Sequence, residues 1–360
     1  MKVLFIARST LYKDKGGDTV QVLRTADHLR SAGVEIVVKL TTDHIDYEAY
    51  DLLHFFNIIR PADILRHIRL SGKPYVVSTI FVDYSEYERK ARGGFTGLLS
   101  HVVSSDRIEY MKVVARCLVN GEKIVSPSYL FYGQRNSIRK IIRGAAMLLP
   151  NSLSEYNRLY AHYRQQQRYT VIPNAIDPRL FRSPAVPPER DGRLVICVGR
   201  IEGRKNQLNL IRALKGSLYQ LIIIGSPSAN QSGYYEECKK TADRNVSFVA
   251  ATDQETLLDY YLRAKVHVLA SWFETTGLSS LEAAAMGCNL VITDKGDTRE
   301  YFGNDAWYCD PDSLSSIREA IEQAANATSG GPLQNKIFAE YTWTNTAEKT
   351  AGAYRAVLGK

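Results

Sequence analysis

Several things are scarce in this chain of 360 residues. Apolar runs such as 221–224 and 145–149 fall far short of the roughly 18–20 residues that cross a bilayer, so no membrane-spanning helix is expected. Residues 1–6 are apolar but no cleavage-type segment follows, so no secretory signal is expected either. The five cysteines, Cys117, Cys197, Cys238, Cys288 and Cys309, are an odd count with no paired metal-type spacing. They read as reduced, mostly buried thiols of a cytosolic protein rather than a disulfide scaffold. No low-complexity tract or short-period repeat occurs, and no Gly-x-Gly-x-x-Gly follows the first apolar run. These absences set aside a disordered chain, a solenoid and a dinucleotide oxidoreductase.

What is present is ordinary in amount and uneven in placement. Hydrophobic residues make up 45% and charged residues 23%, and at about 100–200 residues per domain the length suggests two domains. The formal net charge is +8. Residues 1–182 hold 27 Lys and Arg against 17 Asp and Glu, whereas residues 183–360 hold 19 against 21. The whole positive excess therefore lies in the first half, where it fits a phosphate-rich or otherwise anionic partner, or a merely solvated basic surface.

Apolar runs alternate with helical periodicity along most of the chain. In the first half, strands are expected over 1–7, 34–40, 52–56, 75–78, 147–150 and 169–172. Helices are expected over 19–31, 62–70, 107–119 and 129–143. Residues 183–192, SPAVPPERDG, carry three prolines and no periodicity and read as a linker. Beyond them the alternation restarts, with strands over 194–198, 221–224, 246–249, 266–269 and 289–293. Helices over 207–214, 234–243, 255–264 and 278–286 separate them. This pattern is an α/β protein of two tandem, doubly wound parallel-sheet domains, 1–182 and 193–342. A final helix at 343–360 is placed to pack back on the first domain.

In open parallel sheets ligands bind beyond the carboxyl ends of the strands, so the residues after each strand matter most. After 194–198 come Gly199-Arg200-Ile201-Glu202-Gly203-Arg204-Lys205-Asn206, placing Arg200 and Lys205 in a strand-to-helix loop suited to a diphosphate. Solvated surface cations are the plainer reading of that pair taken alone. After 266–269 comes SWFETTGLSSLE, with Glu274 in the loop and Glu282 one turn into the next helix. Glu274 can meet a hydroxylated ligand, and Glu282 can accept from a ribose diol. The amides of Gly277, Leu278 and Ser279 are donors at a helix N-terminus. The plainer reading is a helix-surface acid and a dipole-favoured acid. Asp310-Pro-Asp312 reads as turn chemistry rather than a metal site.

Taken in order, Gly-Arg-x4-Lys-Asn, then Glu-x7-Glu overlapping Gly-Leu-x2-Leu-Glu-Ala, then Gly287 before a strand, resembles the retaining GT-B glycosyltransferases of family 4. The signature spans about 195–300. The Gly16-Gly17 loop and the Trp343-containing helix extend the likeness over nearly the whole chain. The resemblance implies two Rossmann-like domains with a cleft between them, the second binding a nucleotide-diphosphate sugar such as a UDP-sugar. It implies that Arg200 and Lys205 hold the diphosphate, Glu274 the transferred sugar, Glu282 the ribose, and Gly277 and Leu278 the phosphates by their amides. Gly16 and Gly17 would approach the donor from the first domain, where the lack of a side chain permits close backbone contact.

No cofactor and no metal are expected, because Arg200 and Lys205 supply the positive charge. The activity implied is metal-independent hexosyl transfer to a glycan or lipid-linked acceptor, as in bacterial-type surface polysaccharide or lipopolysaccharide assembly. The alternative is a non-catalytic nucleotide-sugar or glycan-binding protein of the same fold.

The chain departs from the family at one place. Many members carry a histidine after the strand equivalent to 75–78, but here the residues are Ser78-Thr79-Ile80-Phe81-Val82-Asp83-Tyr84. Asp83 is the candidate replacement, or else a cap for residues 85–89. His28 and His67 lie in helical stretches and read as packing residues. In the basic half, Arg135, Arg139 and Arg143 recur at i, i+4 and i+8, with Arg60, Arg66, Arg69, Arg89, Lys90 and Arg92 elsewhere. With Tyr84, Tyr87 and Phe95 nearby, they suit peripheral contact with an anionic membrane on its cytoplasmic face, or a phosphate-bearing acceptor, or a solvated helix face. Nucleic acid is not expected as a partner, since no recognised binding motif occurs.

Overall fold

The computed structural model describes residues 1–90, 106, 110–111, 126–182, 189–228 and 230–359. Most of the helix expected over 107–119 lies outside them, as do Arg92, Phe95, Cys117 and residues 183–188 of the expected linker. The chain divides into two compact units. One comprises 1–81, 88–174 and 343–360; the other comprises 82–87 and 175–342.

The first unit is built on a five-stranded parallel sheet of order β2-β1-β3-β4-β5. Its strands are β1 (Lys2–Ala7), β2 (Glu35–Leu40), β3 (Leu52–Phe56), β4 (Tyr75–Ser78) and β5 (Met147–Leu148). Strand β1 is central, pairing Val3 with both Ile36 and Leu52. Parallel strands covered on both faces read as unbroken apolar runs, and all five residues of β3 are buried. The polar member of that run, His54, is satisfied on both ring nitrogens, by the Tyr354 hydroxyl at 2.6 Å and the Ser78 hydroxyl at 2.8 Å. Burial lowers its pKa to about 3, so it stays neutral.

Tyr354 belongs to helix Trp343–Leu358, which counts with the first unit. Its Ala347, Ala351 and Ala353 share a core with Val22, Ala26 and Leu29 of helix Gly17–Ser31. The strand expected over 169–172 reduces to a single bridge from Leu148 to Tyr169. The reason is local: Pro150 follows β5 closely and has no N–H to offer a longer ladder.

The second unit carries a six-stranded parallel sheet of order β11-β10-β9-β6-β7-β8. These strands are β6 (Asp191–Val198), β7 (Gln220–Ile224), β8 (Val246–Val249), β9 (Ala264–Leu269), β10 (Asn289–Thr293) and β11 (Trp307–Cys309). Asp191 and Gly192, read as linker, open β6 instead. Two elements the sequence pattern did not announce, β11 and helix Leu314–Asn326, continue the alternation. The helix is capped by Ser313 and buries Ile317, Ala320, Ile321 and Ala324 at helical spacing.

Cys197, Cys238, Cys288 and Cys309 are buried and unbridged. Burial pushes Cys197, Cys288 and Cys309 up to about 12. No described helix is long and apolar enough to cross a membrane.

Candidate functional site

Strands β6, β9 and β10 lie side by side, and the loops leaving their carboxyl ends are tied together. Gly203–Lys205 form a single helical turn, and Asn206 follows in the left-handed conformation at φ 61°, which asparagine tolerates. Its side-chain amide donates to Ala270 O at 3.0 Å and Pro311 O at 2.8 Å. The Trp272 amide donates to Arg204 O at 3.0 Å. These bonds draw the loop after β6 onto the loop after β9. Glu274 in turn bridges to the loop after β10, its N–H donating to Lys295 O and its carbonyl accepting from Asp297 N. Gly296 sits against that carbonyl at φ 107°, and a Cβ there would collide with it.

The outcome of this lacing is an ion pair between the partly exposed Lys205 and the buried Glu274. Lys205 Nζ lies 2.5 Å from Glu274 Oε1, and the Glu274 side chain is 7% exposed. Among the described residues, Lys205 is the one hydrogen-bonding partner of that carboxylate. Burial would lower the Lys205 pKa, but the Glu274 charge, with Tyr84 and Glu202, raises it above its ordinary value. Lys205 is therefore a fixed positive charge at neutral pH.

A second carboxylate, Glu202, organises the neighbouring cations. It lies 3.2 Å from Arg204 and 3.8 Å from Arg200, and accepts from the Ser228 hydroxyl at 3.0 Å. Burial pushes Glu202 up, but Arg204, Arg200 and Lys205 together hold it below the ordinary carboxylate range. Three cations thus face two carboxyl groups at one sheet edge. Glu202, Arg204 and Asn206 lie inside the motif loop, yet spacing alone assigned them no part.

The loop then enters helix Leu278–Ala285. Its N-cap, Gly277, stands at φ 70° with Ser280 Oγ and Leu269 Cδ2 close to where a Cβ would project, so glycine is required. The first amides bonded to Gly277 O are those of Ser280 and Leu281, so Leu278 and Ser279 present theirs at the helix start. Glu282, one turn in, accepts from the buried Tyr261 hydroxyl at 3.0 Å.

Asp83 is corrected. Its carboxylate is exposed and accepts from Ser85 N at 2.9 Å, closing a turn at the start of helix Ser85–Lys90. The side chain that reaches the cluster is the next one. Residues 82–87 count with the second unit, and the Arg204 guanidinium lies 4.5 Å from the Tyr84 ring centroid. Gly16 and Gly17 lie in the first unit, Gly16 capping helix Gly17–Ser31 in extended conformation. The preceding loop is gathered by Arg8, which donates to Asp18 at 2.6 Å, Thr10 at 2.6 Å and Asp14 O at 2.5 Å. In the turn after β11, whose Pro311 carbonyl holds Asn206, Asp310 accepts from Asp312 N at 3.1 Å, which is turn chemistry.

The arginines of the basic stripe have partners within the first unit. Arg135 donates to Asp106 at 3.0 Å and to His162 O, Arg139 to Tyr163 O at 2.9 Å, and the exposed Arg143 to the Gln165 side chain at 3.0 Å. Arg135 and Arg139 thus meet the last carbonyls of helix Leu153–Tyr163.

Residues 181–338 match the family model described as Glycosyl transferases group 1. The chain is 25% identical over 247 residues to the D-inositol 3-phosphate glycosyltransferase of Acidothermus cellulolyticus, covering 61% of this chain and 55% of that protein. The chain spans about half the length of the curated relatives it matches. Among solved structures, sucrose-phosphate synthase from Thermosynechococcus elongatus superposes with a TM-score of 0.78 at 16% identity, over 100% of both chains. Anabaena Alr3699/HepE in complex with UDP-glucose gives 0.68 at 14% identity, over 99% of this chain and 100% of that one. The fold is that of the GT-B glycosyltransferases, two Rossmann-like parallel-sheet domains, and the second unit carries the group 1 signature.

Proposed function

We propose that the protein is a retaining, metal-independent glycosyltransferase that moves a hexosyl group from a nucleotide-diphosphate sugar, a UDP-sugar first among them, to a glycan or lipid-linked saccharide. The observation that carries this reading is the Lys205–Glu274 pair at the carboxyl edge of β6 and β9 beside the Gly277 helix start. Each member matches one half of such a donor. Lys205, with Arg200 and the amides of Leu278 and Ser279, suits the diphosphate; Glu274 suits the sugar hydroxyls, and Glu282 the ribose.

In transfer, the bond from the anomeric carbon to the phosphate oxygen breaks and the acceptor oxygen bonds to that carbon. The acceptor proton passes to the departing diphosphate. Charge separates as the donor bond breaks, and the cations stabilise the negative end without reorganising. Departure and attack on the same sugar face retain the configuration. Arg200 and Lys205 fill the role a metal would otherwise take.

The acceptor is assigned to the first unit, whose charge excess suits a phosphate-bearing lipid-linked saccharide of surface polysaccharide or lipopolysaccharide assembly. Peripheral contact with the cytoplasmic face of an anionic membrane belongs to the same reading. It is supported by exposed Leu130, Phe131 and Tyr132, with Lys140 4.7 Å from the Tyr132 ring centroid.

The test is a thermal-shift panel of UDP-glucose, GDP-mannose and ADP-glucose, followed by hydrolysis and transfer assays with the radiolabelled donor that stabilises. A ligand bound by the native state alone raises stability with its concentration. Stabilisation by one sugar nucleotide and its turnover are expected. No stabilisation by any of the three overturns the donor reading; stabilisation without turnover of the donor turns it into a binding protein.

A further inference from the structure

We propose that Tyr84 is a specificity-determining residue of the donor site, forming the wall against which the transferred sugar rests. The inference deepens the donor reading above and depends on it. Nothing in the motif loops points to this residue, which lies far from them in sequence.

Residues 82–87 are seated on the second unit at three places. The Tyr84 ring packs on the Arg204 guanidinium and meets Phe273 edge to face, with ring centroids 6.0 Å apart. Glu86 pairs with Lys295 at 3.3 Å, in the loop whose carbonyl also holds the Glu274 backbone. The Tyr87 ring lies 6.4 Å from that of Trp272, and its hydroxyl fills the space where Gly203 lacks a side chain. Two of these seats are on the loops that present Lys205 and Glu274, and the third is on the loop bonded to the Glu274 backbone. The segment is therefore fastened to the cluster rather than passing near it.

The chemistry of the cluster divides by ligand. The cations Arg200 and Lys205 would meet a diphosphate whether or not a sugar is attached. Tyr84, backed by the buried Phe273, places a partly exposed aromatic ring near the Glu274 carboxylate, a combination suited to a pyranose: its C–H face packs on the ring while its hydroxyls donate to Glu274. Pockets orient small ligands by such a pairing of apolar wall and few polar groups. Free nucleoside diphosphate has nothing to rest on the ring. Tyr84 should therefore act on the sugar and leave the nucleotide alone.

The experiment uses the full chain and, from UDP-glucose, GDP-mannose and ADP-glucose, the donor that stabilises the wild type. Dissociation constants for that donor and for its free nucleoside diphosphate are measured by calorimetry for wild type, Tyr84→Ala and Tyr84→Phe. For Tyr84→Ala, donor affinity is expected to fall about tenfold and nucleoside diphosphate affinity to stay within about twofold, the size of one lost wall contact. Tyr84→Phe keeps the ring and should restore most of the difference. Equal loss for both ligands would mean that the ring merely props up Arg204, and no loss for either would mean that the segment is idle; either result overturns the proposal while leaving the donor reading standing. If none of the three sugar nucleotides binds the wild type, both readings fall.

Discussion

Each unit buries a glutamate just beyond its sheet, and the two are held in different ways. Glu155, in the first unit, is fully buried and accepts from the Thr79 hydroxyl, from Phe81 N at 2.8 Å and from Asn151 N at 2.9 Å. It joins the loop after β4 to the loop after β5. Glu274, in the second unit, is bonded through its side chain to one ammonium group, Lys205, at the end of a long side chain. A carboxylate filled by backbone and hydroxyl donors of its own chain is a structural clamp, because its partners cannot leave without exposing buried polar groups. A carboxylate matched by one flexible cation can exchange that partner for a ligand. Both carboxyl groups are buried; the kind of partner separates scaffold from site.

The largest expected effect breaks the exchangeable pair. Glu274→Ala or Lys205→Ala should lower sugar transfer by about 10²–10³-fold or more, on the scale of losing one preorganised charge contact. Circular dichroism and the melting curve should show an intact fold. Full activity of either variant in a radiolabelled-donor assay would remove both residues from the site.

Breaking the clamp should do the reverse. Glu155→Ala leaves three buried donors without their acceptor and should cost about 2–3 kcal/mol of unfolding free energy, read by urea titration. The isolated affinity for the donor should not change. If stability is unaffected and donor affinity falls, the distinction between the two glutamates is wrong.

A smaller effect comes from pH. Burial depresses His54 to about 3 and His67 to about 4 in the first unit, and His267 to about 3 in the second, against an ordinary value of 6.5. Below pH 6.5 the unfolded chain takes up protons that these folded-state imidazoles refuse. The stability present above 6.5 is therefore lost as pH falls toward their folded values. Between pH 6.5 and pH 5 each should contribute a loss of roughly 2 kcal/mol. Melting temperatures measured across that interval should fall steadily. A flat profile would mean that the histidines are not buried in their neutral form.

Much of this was legible before folding was considered. The apolar runs at 52–56 and 289–293 announced buried parallel strands, and Gly-Arg-x4-Lys-Asn with Glu-x7-Glu singled out the two loops that meet at the Lys205–Glu274 pair. Strand β11 was not legible because three residues carry no period. The strand expected over 169–172 failed because a short apolar run cannot report whether its neighbour has an N–H to share, and Pro150 does not. The arginine stripe at 135, 139 and 143 had correct helical spacing. Spacing gives a common face but not what that face meets, and here it meets the carbonyls ending helix Leu153–Tyr163.

The site divides in the same way. Local pattern sufficed for the alternating architecture and for placing Arg200, Lys205, Glu274, Gly277 and Glu282 in their loops or at a helix start, because each stands at a set distance from a strand end or helix start. It did not suffice for Tyr84, for Glu202 among three cations, or for choosing Asp83 as a turn residue. Glu202 and Asp83 take partners two residues away, and spacing does not say which of several local partners a side chain takes. Tyr84 meets Arg204 and Phe273, more than a hundred residues along the chain, through packing that no window of sequence contains.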